Sequence, residues 1–356
     1  MEKVLTLVIP AYNSQVYLSK VLDSLLEPSA IPYLDVIVVN DGSTDHTAAV
    51  CEAYCQKYPE SIRLITQTNK GHGGALNTGF AAAVGKYIKP IDSDDWVETQ
   101  NLPEFINFLR KCESDVVLTQ FNSINITDNT VTKWRSHPEE FGREYSLREI
   151  VADWGKFNQI TVFHGVTYRT EFYRSIGLHL TEHVFYEDEE YCIIPFSHAK
   201  TIVPVDLVIY NYRVGDAGQS TSEENLRKNI SHFQKVLNKL IQQYRESISI
   251  HDDAAKLYYC LMVKSMLANY LSTIMLMNKN RKQGRRQAAA VMKETRQKIP
   301  SAYWRALLPY HALRIMNYLG ISKQRCDQLL CSDFYARLRR RKPVDVENQQ
   351  SAATDV

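Results

Sequence analysis

DVIVVNDGSTD, residues 35–45, is the stretch that decides the fold. Its first five residues are almost unbroken β-branched apolar side chains. That is too short a run for a helix and reads as a strand buried on both faces. The run stops at Asn40-Asp41-Gly42-Ser43-Thr44-Asp45, which is turn chemistry, and Thr44 or Asp45 then caps a helix ending near Tyr58-Pro59. The same unit recurs on both sides. Residues 4–9, VLTLVI, end at Pro10, and Asn13 or Ser14 caps a helix with Val16, Leu18, Val21, Leu22, Leu25 and Leu26 on its apolar face. Residues 62–66, IRLIT, lead into the glycine-rich loop Asn69 to Gly74 and a helix from about Ala75 to Val84. Residues 86–91, KYIKPI, end at Asp92-Ser93-Asp94-Asp95. This alternation calls for a parallel sheet with helices on both faces. Ligands on such sheets bind beyond the carboxyl ends of the strands, and every polar cluster named here stands at one.

Further along, residues 115–121 read as a strand and 123–133 as a hairpin turning at Asp128-Asn129. Residues 145–154 read as a helix, 160–168 as a return to the sheet, and 183–196 as a polar start that becomes helical. From Ser222 the pattern is helical to about Arg341, with breaks near Pro300, Pro309 and Gly320. The expected organisation is an α/β domain over 1–222, a helical basic subdomain over 223–342 and a polar tail over 343–356.

Of the 356 residues, 44% are apolar, enough to fill a core. The net charge of +2 hides a split. Residues 279–342 carry 17 Lys/Arg against 3 Asp/Glu, whereas residues 1–278 carry 25 against 34. A basic segment on an acidic body points to an anionic partner, with a solvated helical surface as the alternative. The seven cysteines include no CxxC pair and no zinc spacing, which suits thiols in a reducing cytosol. The opening MEKVLTLVIP lacks the basic and long apolar regions of a signal peptide. Leu257 to Met277 has the length of a membrane span, but Lys264, Ser265, Asn269, Ser272 and Thr273 lie within it. A central Lys alone costs about 2.5–3.5 kcal/mol on insertion, so a buried helix is expected there.

Three carboxylates within Asp92-Ser93-Asp94-Asp95 repel one another unless a cation or donor stands among them. Hard oxygen ligands suit Mg²⁺ or Mn²⁺, which complete their shells with water and phosphate oxygens. A D-x-D at a strand end therefore fits a metal-bound diphosphate, although the triplet alone is common. Phe185-Tyr186-Glu187-Asp188-Glu189-Glu190-Tyr191 is a second acidic cluster, which by itself fits a solvated helix start.

Taken in order, VIPAYN at 8–13, VVNDGSTD at 38–45 and IDSDD at 91–95 resemble the family 2 glycosyltransferases of the GT-A fold. The resemblance is specific over about 4–100 and extends to about 215. It implies a GT-A, Rossmann-like sheet and transfer of a sugar from a nucleotide-diphosphate donor, a UDP-sugar, to a hydroxyl acceptor with inversion. It implies that Pro10, Ala11 and Tyr12 lie against the nucleotide, that Asp41 bonds the base, that Asp92 with Ser93 lies near the ribose, and that Asp94 binds the metal. Lys70 and His72 would meet the diphosphate or donor sugar, and Asp188 would be the catalytic base, with Glu187 and Glu189 the alternatives. Arg213 and Ser220, beside the glycines at 215 and 218, are further donor-side candidates. The processive members' Q-x-x-R-W motif is absent, which favours single addition.

The expected partners are a nucleotide-sugar and a glycan or lipid-linked acceptor, in cell-surface glycan or polysaccharide synthesis. The basic segment 279–342 predicts peripheral contact with an anionic membrane at its cytoplasmic face, or else subdomain packing that includes a homo-oligomer interface. No nucleic-acid module is present. Two other functions stand beside this one. A nucleotidyltransferase needs a glycine-rich basic loop after the first strand, where this chain has Ala11-Tyr12-Asn13-Ser14. A non-catalytic nucleotide-sugar binder needs a broken metal or base motif.

Overall fold

Every residue of β1 (Leu5–Ala11) and β2 (Leu34–Asp41) is buried, as near-continuous apolar runs require. The computed structural model describes residues 2–216, 223–248 and 252–330. β1 pairs in parallel with β2 on one side and β4 (Tyr87–Pro90) on the other, and β3 (Ile62–Gln67) pairs in parallel with β2. The helices α1 (Leu18–Asp23), α2 (Thr47–Lys57) and α3 (Gly71–Ala82) are the crossovers. Beyond β4 the sheet turns mixed. β8 (Val166–Arg169) runs antiparallel to β4 and to β6 (Val116–Asn125), while β9 (Ile202–Val214) runs parallel to β6. β5 (Trp96–Val97) closes one end against β9, and β7 (Val131–Trp134) forms the expected hairpin with β6, with Asn129 at φ 57° in its turn. The strand order is β3-β2-β1-β4-β8-β6-β9-β5.

Three local expectations change. The helix after β1 does not start at Asn13 or Ser14. Asn13 is left-handed, at φ 50°, and its side chain accepts from the Thr44 N–H, while the Ser14 hydroxyl meets that of Ser93 at 2.7 Å. Both side chains join loops instead of capping. The helix after β3 starts at Gly71, not Ala75, because Gly73 and Gly74 lie inside its first turns. A Cβ on Gly73 would come within 2.6 Å of the Thr181 carbonyl, and one on Gly74 within 2.4 Å of Lys70 Cβ. These glycines serve close packing. β9 occupies residues for which no strand was expected.

After α4 (Leu102–Lys111), α5 (Leu147–Ala152), α6 (Trp154–Phe157), α7 (Thr170–Ile176) and α8 (Asp188–Ile193), the chain is helical: α9 (Glu223–Lys228), α10 (Ile230–Glu246), α11 (Asp253–Ser272), α12 (Arg281–Lys298), α13 (Pro300–Tyr318) and α14 (Lys323–Leu330). α11 extends through a π-helical turn at Thr273–Met277. It is one helix long and apolar enough to cross a membrane by length and composition. In the fold it is a core helix. Tyr258 joins the core under the sheet, while Tyr259, Val263, Met266, Leu267 and Leu271 form the centre of a second core among the helices. The Tyr258 hydroxyl donates to the Cys192 carbonyl at 2.9 Å, which fastens the helices to α8.

Candidate active site

The loops after β1, β2 and β4 meet at one edge and are tied to one another. The N-cap of α2 is His46, not Thr44 or Asp45; Asp45, just before it, accepts from the Thr47 N–H at the first residue of the helix, and its other oxygen accepts from the Gln15 N–H. Asp41, buried at the end of β2, accepts on Oδ1 from Gln67 Nε2 at 2.7 Å and from the Lys70 N–H at 2.8 Å. Pro10 and Ala11 are the buried end of β1 and pair with Val39 and Asn40 of β2. Tyr12, the next residue, is exposed, as is the Lys70 side chain. Pro10, Ala11, Tyr12, Asp41 and Lys70 therefore line one corner of the edge.

The acidic cluster after β4 divides by role. Asp95 is buried, with Oδ2 accepting from the Tyr210 hydroxyl at 2.5 Å and Oδ1 from the Arg213 N–H at 2.7 Å. It fastens the loop to β9. Asp92 receives a hydrogen bond from His72 Nε2 at 2.9 Å, and its own N–H donates to Tyr210 Oη. Asp94 is partly exposed, and the Arg213 guanidinium lies 3.9 Å from its Oδ2. That guanidinium also meets Asp216 at 3.2 Å and sits over the Tyr17 ring. Burial and the adjacent Asp92 charge push the Asp94 carboxyl up to about 6. A partly buried carboxylate beside another carboxylate is the kind of group a divalent cation would relieve. Asp92, Asp95 and His164 each offer a ligand atom within 4.8 Å of one another. Both Asp95 oxygens are already engaged by Tyr210 and Arg213, and Asp94 is not one of these three.

His72 links the two acidic clusters. Its Nδ1 lies 2.5 Å from Glu187 Oε1 while Nε2 holds Asp92. Burial opposes a charge on the ring, but the hydrogen bonds and charges of Asp92 and Glu187 outweigh it and raise His72 well above the ordinary imidazole value. The imidazolium donates to both carboxylates. The expected donor-side residue is thus a clamp between β4 and α8.

The second cluster also sorts itself. Glu187 is buried, Oε1 is taken by His72, and Oε2 has no hydrogen-bond partner. Glu190 is fully buried and accepts from Lys239 at 2.7 Å and from Thr181. Asp188, the first residue of α8, follows Tyr186 at φ 73° and His183 at φ 55°. Such angles are uncommon for non-glycine residues and mark backbone held by its surroundings. Burial, then the Glu189 and Glu187 charges, push Asp188 up to about 8, and burial pushes Glu189 up to about 7.

Three residues of the edge were not singled out from sequence. His164 stacks on Tyr212 at 4.2 Å between ring centroids, and burial lowers it to about 4, so it is neutral. Tyr210 holds Asp92 and Asp95. Lys89 is fully buried, donates to the His164 and Val166 carbonyls, and burial lowers it to about 7. A lone His in VFHGV and a Lys inside a strand carry no local signal of this. Ser93 lies at the edge through its bond to Ser14, and Ser220 lies outside the described residues.

Residues 6–177 match the model of the family described as Glycosyl transferase family 2. Among curated proteins, the chain is 28% identical over 174 residues to Glycosyltransferase GlyA of Streptococcus pneumoniae, covering 45% of this chain and 25% of the relative. It is 35% identical over 124 residues to the poly(ribitol-phosphate) beta-glucosyltransferase of Bacillus spizizenii, covering 34% of this chain and 19% of that one. It is 26% identical over 214 residues to the uncharacterized glycosyltransferase EpsJ of Bacillus subtilis, covering 60% and 62%. The chain therefore spans between 19% and 62% of the length of these three relatives. Among solved structures, S. aureus TarS 1–349 in complex with UDP-GlcNAc aligns with TM-score 0.52 at 20% identity over 89% of this chain and 92% of that one. That likeness gives the fold, a GT-A-type mixed sheet with flanking helices and a helical C-terminal region.

Proposed function

Residues 6–177 of this chain belonging to glycosyl transferase family 2, we propose that it transfers a sugar from a UDP-sugar to a hydroxyl of a cell-surface glycan or lipid-linked acceptor, with inversion. The observation that carries the reading is the His72 clamp. It holds the nucleotide-side carboxylate Asp92 and the start of α8 in one cleft, 2.9 Å and 2.5 Å from its two nitrogens. In this reading Asp41 meets the base beside Pro10, Ala11 and Tyr12, and Asp92 with Ser93 meets the ribose. Lys70 is an exposed cation that would meet the diphosphate, and Arg213, held by Asp216 beside Asp94, is a further donor-side cation. Because both His72 nitrogens already serve carboxylates, His72 acts as a positioning residue.

Asp188 is the base. Glu187 is committed to His72 and Glu190 to Lys239, which leaves Asp188 and Glu189 of the four acids. An Asp carboxylate raised to about 8 is a far stronger proton acceptor than an ordinary one. It removes the acceptor hydroxyl proton as that oxygen bonds to the anomeric carbon. The carbon–oxygen bond to the diphosphate breaks, and its electron pair leaves with the phosphate. Asp94, with Asp92, would hold Mg²⁺ or Mn²⁺, which supplies Lewis-acid neutralisation of the leaving diphosphate. The reaction belongs on the cytoplasmic side of the membrane, where nucleotide-sugars are made.

A screen of nucleotide-sugars for sugar release, with and without Mn²⁺, tests this. The expected result is metal-dependent release from a UDP-sugar that Asp94→Ala abolishes while the fold persists. Pyrophosphate release from a nucleoside triphosphate would make the chain a nucleotidyltransferase. Binding without release from any donor would make it a binder.

A further inference from the structure

Helix α13 is apolar on two opposite faces. Its inner face, Ala302, Ala306, Tyr310, Leu313 and Asn317, is buried in the second core. Trp304, Leu308, Ile315 and Tyr318, with Leu319 just beyond the helix end, are between 60% and 80% exposed. At about 100° per residue, these five fall within an arc of roughly 100° opposite the buried face. Twelve large apolar side chains are exposed among the described residues, and five of them stand on this one stretch of sixteen residues. Single exposed apolar residues are ordinary, but a contiguous stripe marks a surface that meets something.

The charge around the stripe says what. Arg305 and Arg314 lie at its two borders by the same helical spacing. Arg285 sits 4.1 Å over the Tyr318 ring at its end. Residues 279–330 hold 12 Lys/Arg against 2 Asp/Glu, and of the two acids Glu294 is already paired with Lys298 at 2.6 Å. On α12, Lys282, Arg286, Lys293 and Arg296 are exposed. An apolar stripe carrying Trp and Tyr, bordered by arginines on a basic body, has the composition of an interfacial helix at an anionic lipid surface. A second copy is disfavoured, since a self-complementary contact would press this basic surface against itself.

We propose that the outer face of α13 docks on an anionic membrane, with Trp304, Leu308, Ile315 and Leu319 entering the headgroup boundary. Arg305 and Arg314 contact lipid phosphates. The docking stands independently of the sugar-transfer reading and needs no donor or metal to be tested. The full chain should co-sediment with vesicles containing phosphatidylglycerol at least tenfold better than with phosphatidylcholine alone, and high salt should release it. Trp304→Ser/Leu308→Ser/Ile315→Ser should lose at least tenfold in vesicle binding, and Arg305→Glu/Arg314→Glu should lose the lipid preference. Failure of the unaltered chain to bind, or equal binding by the triple-serine chain, overturns the proposal. So does a vesicle-free dimer in analytical ultracentrifugation that Leu308→Ser dissolves, which would assign the stripe to a second copy.

Discussion

The sheet edge beyond β1, β2 and β4 and the outer face of α13 are both open to solvent, yet they are built in opposite ways. At the edge, polar side chains point outward from buried strands and hold one another: Asp45 to Gln15, Asp41 to Gln67 and Lys70, His72 to Asp92 and Glu187. On α13, apolar side chains point outward into solvent, while the opposite face is packed. The difference separates two kinds of exposed surface. The edge is preorganised, so its substitutions should cost turnover. The helix face is idle, so its substitutions should cost neither stability nor chemistry, and the helices behind it should cost stability alone.

The largest effect belongs to the edge. Asp188→Asn should lower transfer by about 10²–10⁴-fold, the usual contribution of a general base, while donor binding persists in calorimetry. A chain in which Glu187→Gln is inactive and Asp188→Asn is not would shift the base by one residue. The same group sets a pH dependence with a definite sign. Asp188 must lose its proton to act, so turnover should rise as pH climbs towards about 8. Stability runs the other way. A carboxyl raised in the fold favours its protonated form there, so this contribution is present at low pH and lost as pH rises through about 8. Asp188→Asn should therefore gain melting temperature over the unaltered chain at pH 8 and match it near pH 4.

How far the edge could be read without coordinates follows from the same contrast. DVIVVND announces itself because a buried strand is apolar without interruption and its end is abruptly polar, and IDSDD because its carboxylates crowd one strand end; both facts are local. The sorting of Glu187, Asp188 and Glu190 was not legible, because it depends on His72 and Lys239, which are distant in sequence. Tyr210 and His164 carry no local signal for the same reason, and in β9 Pro204 and Asp206 interrupt the apolar run that would mark a strand. On α13 the opposite failure applies. Its helical period is plain, but with apolar residues on both faces the sequence does not say which face is buried.

In the second core, Leu267→Ala should cost about 2–5 kcal/mol, the range for deleting a buried leucine side chain. Turnover per folded molecule should be unchanged. His72→Ala sits between the two regions in kind. It leaves Glu187 buried with neither oxygen paired, which for a fully buried pair costs about 3–5 kcal/mol. His72 is one-third exposed, so about 2 kcal/mol is the expected loss in urea unfolding. Adding Glu187→Gln should restore part of that stability without restoring full turnover, because Asp92 remains unclamped. Full recovery of both would make His72 a structural residue only.

The smallest effect is the sharpest test of the contrast. Trp304→Ser, Leu308→Ser and Ile315→Ser each remove a large apolar side chain from α13, where a buried one would cost several kcal/mol. These three are mostly exposed already, so folding gains little from them. Substitutions at such positions stay within about 0.5 kcal/mol. Trp304 is the partial exception, since it packs edge-on against Tyr303 at 5.2 Å, and it should account for most of any change. The triple variant should therefore melt close to the unaltered chain in vesicle-free buffer and turn over a water-soluble acceptor at the same rate. Only its response to lipid should differ. A drop of many degrees in dilute solution would mean that something covers the stripe even without a membrane, and the two exposed surfaces would no longer differ as described.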